Sequence, residues 1–137
     1  MSQSSPRVTV VAAEIIDQYG RYLIAQRNAH AVMPLLWEFP GGRVRAGESE
    51  QEALARCLLA TLGVEIVCDE ARLAVDRKYD LYDVRLVAWS ARIVGGELTC
   101  RYVNDFHWVY PEDFSNYAFP PADQATIDQL LGFTAKG

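Results

Sequence analysis

The stretch Gly42-Arg43-Val44-Arg45-Ala46-Gly47-Glu48-Ser49 is where residue type and spacing first suggest phosphate chemistry. It nearly spells a P-loop, whose backbone N–H groups cradle phosphates while a lysine reaches the terminal ones. The lysine position holds Glu48, and a carboxylate there repels an anion. Phosphate neutralisation would instead fall to the guanidiniums within the stretch, Arg43 or Arg45. Acids stand close by as well, Glu48, Glu50 and Glu52, where a helix begins. Cys57 would act as a nucleophile only beside a base, and no motif places one there. His30 and His107 are too far apart for a helical zinc motif.

Several elements must position these groups. Val8–Ile16, rich in Val and Ile, reads as a buried strand, and Asp17-Gln18-Tyr19-Gly20 as a turn. Arg21–Arg27 resumes as a strand, so the two are expected to form a hairpin. Asn28–Pro34 reads as a loop, and Pro40-Gly41-Gly42 stops the short apolar run Leu36–Phe39. Ser49, with Glu52 three residues on, predicts a capped helix from about Glu50 to Leu62, ending at Gly63. Leu54, Leu58 and Leu62 share one face of that helix. Separate strands are expected at Val64–Val67, Leu73–Val75, Asp83–Ile93 and Phe106–Tyr110, with a turn at Gly95-Gly96. Pro111 starts a helical turn, and Asp123 caps a last helix through about Leu131. Strands mixed with one early and one late helix make an α+β domain, not a doubly wound nucleotide fold.

Composition bounds the rest. The 137 residues suit one domain, expected over 8–137 behind a flexible N-terminus of residues 1–7. A net charge of −5 without a basic stripe excludes the wrapping of a nucleic-acid duplex. An anionic small molecule needs only a local cationic cluster. No apolar run reaches the ~18–20 residues of a membrane span. Three cysteines, Cys57, Cys68 and Cys100, fit neither a disulfide framework nor a zinc site, so a reducing cytoplasm is expected.

Gly42, five residues, Glu48, seven residues, then Arg56, with Leu58, Gly63 and Val64 following, resembles a Nudix box. The flanks Leu36–Gly42, Leu23–Arg27 and Phe119–Asp123 resemble the MutT-like branch of that family. The resemblance runs from about Val8 to Leu131 and implies an α/β/α sandwich around a mixed sheet. It implies a structural pairing of Glu48 with Arg56, closed by Gly63. It further implies ligand contacts from Arg27, Glu38, Phe39, Gly41, Gly42, Arg43, Arg45 and Asp123, the last as a reader of a purine edge or else a plain helix cap.

The departures from the pattern are chemical. The family's metal-holding glutamates correspond to Cys57, Ala60 and Thr61. These positions, i, i+3 and i+4, share one helix face, where three carboxylates would suit magnesium. A thiol and a threonine hydroxyl are poor ligands for it. A further acid carried by many members is replaced by Arg45. The first expectation is an impaired domain that binds a nucleotide or another phosphate-containing small molecule, with no cofactor. The second is an active magnesium- or manganese-dependent pyrophosphohydrolase using Glu48, Glu52 or Asp105. The third is a protein-interaction domain with an empty cleft.

Overall fold

A computed structural model describes residues 6–121 of the chain. The last-helix expectation, with Asp123, lies outside these residues. Seven strands and one α-helix are described: β1 (Arg7–Glu14), β2 (Tyr22–Gln26), β3 (Trp37–Glu38), β4 (Gly41–Arg43), α1 (Glu50–Leu62), β5 (Val64–Lys78), β6 (Asp83–Gly96) and β7 (Asp105–Val109). A 3-10 turn at Pro111–Asn116 follows. The first sheet has the order β4-β1-β6-β5 and the second β3-β2-β7. β1 runs parallel to β6, and the other pairs are antiparallel, so the first sheet is mixed as expected.

Helix α1 forms where its caps predict. The Ser49 hydroxyl accepts from Glu52 N at 3.0 Å, and the Glu52 carboxylate accepts from Ser49 N at 2.9 Å. Gly63 ends the helix in the left-handed conformation at φ 72°, which glycine adopts without a Cβ penalty. Leu54, Leu58 and Leu62 are fully buried against Val11, Ala13, Val87 and Ala91 of the first sheet. Each contributes roughly 1.5–3 kcal/mol by leaving water, which fixes α1 beneath β4 and the loop that precedes it.

Three expectations change. The Asp17–Gly20 turn forms, with Asp17 accepting from the backbone of Tyr19 and Arg21 at 2.9 Å each. Pairing beyond it reaches only Ile16–Tyr22 and the Ile15 carbonyl, after which β1 and β2 part into different sheets. Leu23 of β2 still shares the core of Val11 and Ala13 of β1, whereas Ile24 packs in a second cluster with Trp37 and Val109. The expected strands at Val64–Val67 and Leu73–Val75 are one bulged strand, β5, because β6 pairs along its whole length. Its mostly exposed middle carries no local signal of continuity. Lastly, β1 starts at Arg7, which pairs with Asp83 and so belongs to the sheet rather than to a free terminus.

Candidate functional site

A cleft of about 390 Å³ opens on the side of the first sheet away from α1. Alternation along the strands builds its floor. Val11 and Val87 point toward α1, whereas Val10, Ala12, Val84 and Leu86 point into the cleft. Gly41 and Gly42 form one rim through the antiparallel pairing of β4 with β1. A Cβ on Gly41 would lie 1.9 Å from the Val11 carbonyl oxygen, so only glycine permits that approach. Phe39 and Phe119, ring centroids 5.8 Å apart, form an aromatic wall, and Tyr79 stands on the β5 side.

The charged groups lining the cleft are Arg27, Arg43, Arg77 and Glu38. Among the described residues the lining thus carries three guanidiniums and one carboxylate, with Arg27 paired to Glu38. Arg27 Nε donates to the Val32 carbonyl at 2.7 Å, and its Nη1 reaches Glu38 at 3.3 Å. Burial pushes the Glu38 carboxyl above its ordinary value, against the opposing pull of Arg27.

The box loop is held by a clamp beside the cleft. Arg56 Nε and Nη2 donate to Glu48 at 2.6 and 2.9 Å, and Nη2 also donates to the Arg43 carbonyl at 3.0 Å. Glu48 further accepts from Arg45 N at 2.9 Å. The hydrogen bonds from Arg56 hold its carboxyl down to about 2. Arg45 itself is exposed and does not line the cleft.

Magnesium, which the box pattern implies, would be held by oxygen donors on the box helix. Cys57 is buried in the core, and a Cβ on Gly42 would meet its Sγ at 2.8 Å. Burial raises the thiol above its ordinary value, which keeps it protonated. The Thr61 hydroxyl donates to the Cys57 carbonyl at 2.7 Å, and Ala60 has no donor atom. Neighbouring acids are engaged elsewhere. Glu48 holds Arg56, Glu52 closes the capping box, and Glu50 accepts from Trp89 Nε1 at 2.9 Å. Asp105 accepts from Phe106 N at 2.8 Å and lies 3.1 Å from His107 Nε2. Among the described residues no group of three or more His, Cys, Asp or Glu could hold a metal ion. Cys57, Ala60 and Thr61 thus supply no carboxylate to such an ion.

The structure thus gathers Arg27, Glu38, Phe39, Gly41, Gly42 and Arg43 in one cleft and leaves Arg45, Glu48, Glu52 and Asp105 off its lining. Tyr79 lines the cleft, whereas Tyr82 is fully buried and stacks on it at 5.4 Å. Trp37 is a core residue, and Trp89 and Trp108 pack against the core beneath α1. Arg77 is the residue that sequence reasoning missed. It reaches the cleft only because β5 lies beside β6, which in turn pairs with β1. No local motif carries that order.

The described residues form a mixed-sheet α+β domain with a capped helix under a glycine rim. The chain belongs to the NUDIX domain family, whose profile matches residues 11–129. A CTP pyrophosphohydrolase of Escherichia coli (strain K12) is 33% identical over 91% of this chain and 93% of its own length. A putative 8-oxo-dGTP diphosphatase 2 of Mycobacterium tuberculosis is 36% identical over 88% of this chain and 86% of its own. The solution structure of the E. coli ORF135 protein superposes with a TM-score of 0.72 at 32% identity, covering 93% of this chain and 91% of that one.

Proposed function

We propose that this Nudix domain binds a nucleotide or a nucleoside-diphosphate-like ligand without hydrolysing it efficiently. One observation carries the reading: the metal-holding face of the box helix offers Cys57, Ala60 and Thr61, and each acid around it is already bonded to a structural partner. Water attack on phosphorus relies on a metal that screens the phosphate and activates the water. Here guanidiniums face the ligand instead, and they bind an anion without generating a nucleophile. Arg27 and Arg43 contact the phosphates, the wall of Phe39 and Phe119 takes the base, and Glu38 accepts from it. Asp123 is assigned to the same ligand. The three free thiols fit a cytoplasmic setting, and no helix among the described residues is long and apolar enough to cross a membrane. The whole of 8–137 acts as a single domain.

The names of the relatives favour a second reading, an active pyrophosphohydrolase with non-standard acids. One experiment separates the two. Nucleoside triphosphates and nucleotide sugars are incubated with magnesium, manganese or chelator, and product release and thermal stability are followed together. The binding reading predicts no turnover above a mock-purified control. It also predicts stabilisation by one ligand class, about 2.7 kcal/mol at a hundredfold excess over Kd. Metal-dependent turnover lost in Asp105→Asn or Glu48→Gln would establish the enzyme instead.

A further inference from the structure

We infer that the cleft selects the metal-free form of its polyphosphate ligand, so that magnesium weakens binding rather than supporting it. The inference rests on the binding reading above and adds to it the charge state of the ligand. Polyphosphates circulate as magnesium complexes, and a site that takes the complex gains from oxygen ligands to the ion. Among the described residues the one carboxylate on the cleft lining is Glu38, and Arg27 already donates to it at 3.3 Å. Toward the box helix, Gly42 closes on Cys57 Sγ, and the carboxylates nearby are bound to Arg56, Ser49 and Trp89. Toward the ligand stand Arg27, Arg43 and Arg77, on β2's end, β4 and β5. They line one cleft from three different elements. Guanidiniums neutralise a diphosphate by charge-assisted hydrogen bonds to its oxygens. A bound magnesium ion occupies those oxygens and removes two negative charges. It thus competes with the guanidiniums for the same atoms and lowers their attraction for the ligand.

Arg77 separates this arrangement from a metal site with an incidental cation. It lies on β5, across the cleft from the box loop, where no box residue reaches. Its removal should therefore weaken free polyphosphate more than the magnesium complex.

The test is calorimetric titration of the whole protein with inorganic pyrophosphate and with CTP, each in EDTA and in excess magnesium at matched ionic strength. The expected result is affinity at least about tenfold tighter in EDTA, the scale of one hydrogen bond to a charged group. Arg77→Ala is expected to lose about tenfold in EDTA and to narrow the gap between the two conditions. Arg92→Ala, whose partner Asp69 lies away from the cleft, leaves both affinities unchanged. Ala60→Glu combined with Thr61→Glu, at positions that are not fully buried, should shift the preference toward the magnesium complex. Equal or tighter binding with magnesium overturns the inference. Turnover of CTP in the magnesium arm overturns the binding reading instead, and the pyrophosphate affinities in EDTA and in magnesium still decide this one.

Discussion

Gly42→Ala tests whether position 57 is packed core rather than a displaced metal ligand. A Cβ at Gly42 would sit 2.8 Å from Cys57 Sγ, well inside van der Waals contact. The thiol has little room to yield, because Cys57 is only 7% exposed and packs in the cluster with Leu54, Leu58 and Val11. The loop has little room either, because β4 pairs with β1 through Gly41 and Gly42. Overpacking of this kind costs about 1–3 kcal/mol, a fall in Tm of roughly 3–10 °C for a chain this size. Cys57→Ala alone costs about 1 kcal/mol through the lost sulfur contacts. The double variant should recover most of the Gly42→Ala loss, since the new methyl fills the space of the sulfur. Urea unfolding of the four proteins gives the coupling energy directly, and about 1–2 kcal/mol is expected. Additive effects would show that the two residues do not touch, and the packed-core account of position 57 would fall with that result.

Other outcomes follow from the same contacts. Ser49→Ala should destabilise the protein by about 1 kcal/mol in urea unfolding, because it opens the capping box. Glu48, held down to about 2, stabilises the fold above its ordinary value of 4.5, and this stabilisation is lost as pH falls from there toward 2. Arg56→Gln should therefore weaken this dependence over that window, and the Glu48 carboxyl, followed by NMR titration, should then rise toward its ordinary value, with the Arg45 N–H still holding it partly down. Glu38→Gln removes the one negative charge from the cleft lining and should tighten pyrophosphate binding several-fold at neutral pH. Because burial raises the Glu38 carboxyl, the wild type should bind progressively tighter as pH falls through that raised value, and Glu38→Gln should lose this trend.

What was legible in the chain was local. Ser49, Glu52 and Gly63 mark α1 to the residue because caps act within one turn. The Glu48–Arg56 clamp follows from the box spacing and is present at 2.6 Å. The sheet partners were not legible. Asp17–Gly20 is a sound turn signal, yet the strands on either side separate, because their pairing is decided by β4, β6 and β7 from far along the chain. β5 reads as two strands because Asp69–Arg72 lacks apolar alternation and is carried by its pairing with β6. Arg77 enters the cleft for the same non-local reason. The engagement of Glu50 by Trp89, thirty-nine residues away, also depends on the folded sheet.

The most direct measurement is manganese binding to the ligand-free protein, followed by electron paramagnetic resonance. A box helix carrying Cys57, Ala60 and Thr61, with Glu48, Glu52 and Asp105 engaged elsewhere, predicts that added manganese stays free in solution up to millimolar concentration. Stoichiometric binding at micromolar concentration, abolished by Glu48→Gln or Asp105→Asn, would contradict it and restore a catalytic metal centre.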